Sequence, residues 1–218
     1  FLRGKTLDQV SRDMIDGIIT RHLSGTAQAT KELYVALVRA IFRIAMREWE
    51  WIDTMPAFMT YTRGKKARVR WLTHAQAERP LQELPAHQKE LMLFGLATGL
   101  RQGNVKRLTW QQVDIARRIV TFEQGETKND DPLGIPLNDL TISVLERRRG
   151  GHDEYVFTYA GRPIRQVNTK VWKNAHKRAG IEDFRWHDLR HTWASWLRQN
   201  DVPTWVLQEL GGWKSETM

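Results

Sequence analysis

The chain has 218 residues, 41% of them hydrophobic, with a formal net charge of +9 and no cysteine. That composition suits a packed domain or two, and it excludes disulfides, thiolate catalysis and cysteine-bound zinc. No apolar run approaches the length of a membrane span, and no signal-peptide pattern opens the chain at Phe1, which reads as an internal start. A reducing, cytoplasmic setting follows as the expectation.

In chain order, Thr6-Leu-Asp-Gln9 reads as a capping box with Leu7, Val10, Met14 and Ile18 at helical spacing behind it. After the break at Gly25, a longer helix is expected from Ala27 to Trp49, with Leu33, Leu37, Ile41 and Ile44 along one side and Val35, Val38 and Phe42 on neighbouring faces, which makes it central to a small helical unit. Residues 1–58 therefore form a small helical domain, expected to be partial. Pro56 marks its end.

Charge is distributed unevenly. Residues 1–58 carry +1 and residues 71–218 carry +3, whereas 59–70 (MTYTRGKKARVR) carry +5 from Arg63, Lys65, Lys66, Arg68 and Arg70. An acid-free basic linker of this kind fits contact with a polyanion, the alternative being a solvated spacer.

A second capping box, Thr73-His-Ala-Gln76, opens the larger domain with a helix interrupted near Pro80 and Pro85. The run from Gln88 to Thr98 is a buried helix stopped by Gly99, which places Arg101 on a fixed platform. Thr109 to Asp114 is a turn-like connection, Arg118–Phe122 a strand, Gln124-Gly125 a turn, Glu126 to Lys128 the start of a return, and Gly134 to Leu137 a third strand. A helix over 139–149 and a short strand over 155–158 follow, the strand leading into a turn at Gly161-Arg-Pro163. A helix over 166–179 is capped by Gly180, with Lys170, Lys173, Lys177 and Arg178 on its polar side.

The stretch Phe184–Leu197, FRWHDLRHTWASWL, then places Trp186, Leu189, Trp193, Trp196 and Leu197 on one apolar stripe. Arg190 falls at the edge of that stripe, with His187 and His191 further round. Taken alone it is equally an ordinary amphipathic core helix. Asn200, Asp201 and Pro203 end it, a short helix runs from Thr204 through Leu210, and Gly211-Gly212-Trp213 exposes an indole.

ATGLRQGNV with Arg101, TKN with Lys128, HDLRH with His187 and Arg190, and LGGWKS with Trp213 together resemble the tyrosine recombinases, within them the phage and prophage integrases. The resemblance covers residues 71–218, and more loosely 1–58 as the end of a core-binding domain. It implies a mainly α fold with a small antiparallel sheet, joined through the basic linker to the helical piece. It also implies an enzyme that cuts and rejoins duplex DNA at attachment sites through a 3′-phosphotyrosine. Neither ATP nor metal nor any other cofactor is expected. The implied assembly is a tetramer on DNA and a monomer when free, in the bacterial nucleoid.

Arg101 and Arg190 would clamp the phosphate, Lys128 would protonate the leaving 5′ oxygen, and His187 would handle the attacking hydroxyl's proton or support the phosphate. Trp213 would donate its indole N–H, and His191 would steady its helix or the nucleophile segment. Arg63, Lys65, Lys66 and Arg68 would follow DNA phosphates. Trp213 stands where many members have histidine, Asn104 where glutamate is more usual, and the loop after Lys128 is acidic. The i, i+4 spacing of His187 and His191 suits zinc, but the glutamate of H-E-x-x-H and a third ligand are missing. The four tyrosines are Tyr34, Tyr61, Tyr155 and Tyr159, none after Trp213. The family's nucleophile would therefore lie beyond Met218, and these residues alone are expected to be cleavage-inactive. A DNA-binding module without cleavage is the alternative reading.

Overall fold

A computed structural model describes residues 3–59, 70–127 and 130–213. The chain divides into two compact units, Phe1–Ala67 and Arg68–Met218.

In the first unit the Thr6 box closes only a 3-10 turn over Leu7–Gln9, and the helix proper, α1, runs Arg12–His22 from a separate N-cap, Ser11. Its buried residues are consequently Ile15 and Ile19, while Met14 and Ile18, the expected inner residues, are half-buried. Helix α2 (Gln28–Arg47) buries Val35, Phe42 and Ala45. Of the two apolar faces it is the one with Val35 and Phe42 that packs inward: Leu33 is 62% exposed and Leu37 59%. Two apolar stripes share this helix, and the one that meets α1 carries the aromatic ring able to fill the space between them. Val10, Ile15, Ile19, Val35, Phe42, Ala45 and Ile52 form the small core, with Phe58 edge-on to Phe42 at 5.9 Å.

The second unit opens with α3 (His74–Glu83), whose Thr73–Gln76 capping box makes both reciprocal bonds. Pro80 does not interrupt it. The proline lies within the helix with its ring buried, so the lost amide bond is accompanied by apolar burial. Helix α4 (Ala86–Thr98) is buried on most of its circumference through Leu91, Met92, Phe94 and Leu96, and ends on Gly99 in the left-handed conformation (φ 63°). It is the central element, packed by α6 (Asp139–Arg148) and α8 (Trp186–Gln199). Between α4 and α6 lie the short α5 (Gln102–Lys106) and a three-stranded antiparallel meander.

The meander comprises β1 (Val113–Asp114), β2 (Ile119–Phe122) and β3 (Leu133–Pro136), with Val120 opposite Ile135 and Phe122 opposite Leu133. Val120, Phe122 and Ile135 alternate inward, so a period of two directs one face to the core. The expected return at Glu126 is a turn instead, held by the Glu126 carboxylate accepting from the Glu123 amide. The strand expected over 155–158 lies later, as β4 (Thr158–Tyr159) paired with β5 (Arg162–Pro163). Its tight turn falls on Ala160-Gly161, both at positive φ. Helix α7 (Lys170–Arg178) begins four residues after the expected start, because Thr169 caps the amide of Trp172. Helix α9 (Thr204–Gly211) ends on Gly212, again left-handed. Mainly helical with small antiparallel sheets, this is the fold class read from the sequence. No helix among the described residues is long and apolar enough to cross a membrane.

Candidate functional site

Arg190 is not at the edge of the apolar stripe but inside it, only 3% exposed. One turn of α8 on either side explains this. Trp186 and Trp193 are both buried and their rings meet α4 where it carries glycine: a Cβ on Gly95 would lie 2.9 Å from the Trp186 ring, and one on Gly99 would collide with Trp193. Close approach of the two helices encloses the residue between these tryptophans. Its guanidinium is satisfied by main chain rather than by acids. Nη1 donates to the Gly99 carbonyl at 2.9 Å, and Nη2 donates to the Gly211 carbonyl. Nε is buried without a hydrogen-bond partner. Two donor nitrogens are thereby fixed by the ends of two helices, while the Nε–H remains unsatisfied in the interior.

Arg101, the residue before α5, donates from Nη2 to the Gly212 carbonyl at 3.2 Å. Consecutive carbonyls at the end of α9 thus hold both arginines. Burial pushes the Arg190 guanidinium down to about 9, with the charge of Arg101 adding to it, and burial likewise lowers Arg101. Arg190 remains cationic at neutral pH. Two like charges side by side in a desolvated place form an unfavourable arrangement that an anion would relieve.

Trp213 is half-buried rather than exposed. Its ring lies under Arg190, with Cζ 4.0 Å from the ring centroid, and against Trp193 at 5.9 Å. A cation over an indole face is attractive and leaves the edges of the guanidinium open. His187 sits one turn before Arg190 on the exposed flank, its ring 4.8 Å from His191 and nearly perpendicular to it. Desolvation by the surrounding protein, then His191, Arg190 and Arg101, outweigh Asp188 and hold His187 below the ordinary histidine value. It is mainly neutral at pH 7, able to accept a proton.

The structure therefore brings Arg101, Arg190, His187 and Trp213 together. Lys128 lies outside the described residues, as do Arg63, Lys65, Lys66 and Arg68. Strand β3 begins at Leu133, whose side chain lies 3.7 Å from where a Cβ on Gly212 would be, so this strand starts beside the site. Sequence reasoning missed the supports: the carbonyls of Gly99, Gly211 and Gly212, and Trp193 behind them. Thr192 and Trp196 were missed too; they anchor the chain's entry to this unit by bonding the Leu72 amide at 3.1 Å and its carbonyl at 2.8 Å. Glycines spaced by four before Arg101 and tryptophans spaced by seven in α8 were the available signal.

With fold and site in view, the chain belongs to the phage integrase family, whose model matches residues 66–218. It is 40% identical over 205 residues to an integrase of Salmonella phage P22, an alignment covering 88% of this chain and 53% of that protein. It is 29% identical over 168 residues to a shufflon-specific DNA recombinase of Escherichia coli, covering 74% of this chain and 42% of that protein. The chain thus spans about half the length of these curated relatives. Among solved structures, the Tn1549 transposon integrase in complex with transposon right-end DNA shares the fold at a TM-score of 0.77 and 18% identity, over 98% of this chain and 80% of that one. A lambda integrase tetramer bound to a Holliday junction does so at 0.71 and 22%, over 99% of this chain and 68% of that one.

Proposed function

We propose that this chain is the DNA-breaking and rejoining part of a site-specific tyrosine recombinase that integrates or excises phage or mobile-element DNA. The observation that carries the reading is the pair of guanidiniums, Arg101 and Arg190, held side by side by the carbonyls of Gly99, Gly211 and Gly212. Phosphoryl transfer needs charge stabilisation and alignment more than covalent assistance. Two guanidiniums oriented by backbone, Arg190 buried and Arg101 half-buried, supply both, since they need no reorganisation as charge develops. Relatives named as integrases and recombinases, and fold neighbours named as recombinase–DNA complexes, support the same reading.

In this proposal Arg101 and Arg190 contact the non-bridging oxygens of the scissile phosphate. His187, neutral at rest, takes the proton of the attacking hydroxyl or bonds the phosphate. Trp213 holds Arg190 flat and offers its N–H, and Lys128 protonates the departing 5′ oxygen. His191 positions the ring of His187. The basic residues Arg63, Lys65, Lys66 and Arg68 follow phosphates between a helical domain over 1–58 and a catalytic domain over 71–218. The working assembly is a tetramer on paired DNA sites, within the nucleoid, and no cofactor enters the scheme.

No tyrosine follows Trp213 within the 218 residues, and a polypeptide of these residues alone is proposed to bind DNA without attaching to it. A binding module without cleavage would leave the oriented pair of guanidiniums and the neutral His187 beside it without a purpose. The test is substitution in an active protein that carries these residues together with a nucleophile. Arg101→Lys or Arg190→Lys should preserve DNA affinity within a few-fold and lower single-turnover cleavage by about 10²–10³, because a point charge does not replace an oriented fork. Cleavage at the parent rate in both variants would remove the clamp from the chemistry.

A further inference from the structure

The loop between β2 and β3, which carries Lys128, is held by more than its two strands. Of its described residues, 123–127 and 130–132, only Thr127 is buried, at 9% exposed. Threonine is mostly an exposed residue, and a surface loop has no need to enclose one. The Thr127 hydroxyl donates to the Asp131 carbonyl at 2.9 Å, and the Asp130 amide donates to the Thr127 carbonyl at 3.2 Å. Thr127 therefore ties together the two described ends of chain on either side of Lys128.

The approach to Thr127 is fixed as well. Glu126 uses both carboxylate oxygens: Oε2 accepts from the Glu123 amide at 2.6 Å, and Oε1 accepts from Nε2 of Gln112 at 2.9 Å. The other end of the Gln112 side chain accepts from the Thr109 amide at 3.0 Å. Gln112 belongs to a 3-10 turn, Trp110–Gln112, which is itself secured by the Trp110 indole donating to the His152 carbonyl at 3.0 Å. On its far side the loop runs into Leu133, packed at Gly212, whose carbonyl holds Arg101. One end of the loop is thus tied to the segment that follows α5, and the other lies against the helix end that orients the arginine pair.

We infer that Thr127 is a positioning residue for Lys128: its buried hydroxyl, with the Gln112–Glu126 bond behind it, fixes the point from which the chain enters Lys128 and so sets the reach of the ammonium. The inference rests on the general-acid reading of Lys128 given above. In that step the tyrosine oxygen bonds phosphorus, the bond from phosphorus to the 5′ oxygen breaks, and the departing oxygen takes a proton from Lys128. A lysine has a flexible four-carbon stem, so its precision has to come from an anchored backbone. A misplacement of about 1 Å is enough to cost about 10² in rate.

The experiment uses an active protein that carries these residues together with a nucleophile, and measures single-turnover cleavage of two DNAs. One is ordinary; the other has sulfur in place of the leaving 5′ oxygen and needs no proton. Thr127→Val keeps the shape and removes the hydroxyl. It should slow cleavage of the ordinary DNA by about 10- to 10²-fold and stay within about 3-fold of the parent on the sulfur DNA. Thr127→Ser restores the donor and should bring ordinary cleavage back to within about 3-fold of the parent. Gln112→Met cuts the tie to Glu126 from outside the loop and should give the same substrate-selective loss at a smaller size; should Thr127→Val melt below the parent temperature, this variant carries the test. Equal defects on both DNAs, parent rates on both, or a Thr127→Ser as slow as Thr127→Val overturns the inference, because a threonine that only supports the fold does not distinguish leaving groups. Lys128→Ala is measured alongside: if sulfur does not rescue it, the general-acid reading fails and the inference falls with it, which keeps the two failures apart.

Discussion

At the scale of single residues, the site shows how a guanidinium is buried without an acid. Arg190 uses two of its donors on the Gly99 and Gly211 carbonyls and lies over Trp213. A carboxylate in their place would neutralise it and compete with a phosphate; a carbonyl fixes it and leaves the charge intact. Lys128 has a different task in the proposal, and its test is chemical. Lys128→Ala should depress cleavage strongly on an ordinary phosphodiester, and recover on a DNA whose leaving 5′ oxygen is replaced by sulfur, which departs without a proton. Kinetics on the two substrates decide it, and an equally severe defect on both would take the general-acid role from Lys128.

At the scale of elements, the geometry depends on how closely α8 approaches α4. Gly99 serves twice: it adopts φ 63° to end α4, and its missing side chain admits the Trp193 ring. Gly99→Ala combines left-handed strain with a collision, and should cost about 2–4 kcal/mol of stability, read by denaturant unfolding. A loss below about 0.5 kcal/mol would mean that the two helices separate without penalty. Helix α7 gives a pH-dependent counterpart. His176 is 2% exposed, its Nδ1 lies 2.9 Å from the Trp172 carbonyl and its Nε2 lacks a partner. Burial lowers its pKa, only partly countered by that backbone bond, with Arg70 lowering it further. A lowered histidine favours the neutral folded form, so its contribution is complete above the unfolded value near 6.5 and is lost as pH falls below it. Stability measured from pH 7 downward should decline less steeply in His176→Phe than in the parent; parallel curves would contradict the assignment.

The same two helices show what was legible beforehand. Periodicity and the Gly99 stop placed α4 and α8 within about two residues, because their apolar repeats and caps are local properties. The side on which α2 packs was not legible, since two apolar stripes compete and only the partner's shape decides between them. Arg190 was placed at a border because helical geometry alone cannot see that α4 offers glycines there. The site's residue types were visible in order along the chain, whereas the carbonyls that hold them carry no side-chain signature at all.

At the scale of the whole molecule, the central claim is that the site aligns a DNA phosphate for attack by a tyrosine, and that the 218 residues supply everything at the phosphate except that nucleophile. Tyr34 lies in α2, Tyr61 lies outside the described residues, and Tyr155 precedes β4, which contains Tyr159. The most direct measurement is a denaturing gel of labelled attachment-site DNA carrying a nick that traps cleavage. The polypeptide of 218 residues should retain DNA under native conditions yet give no covalent band. The same residues joined to a following segment that supplies the family's tyrosine should give a protease-sensitive shifted band, lost again when that tyrosine is changed to phenylalanine. A shifted, protease-sensitive band from the 218 residues alone, or its persistence after the tyrosine is changed, would contradict the account.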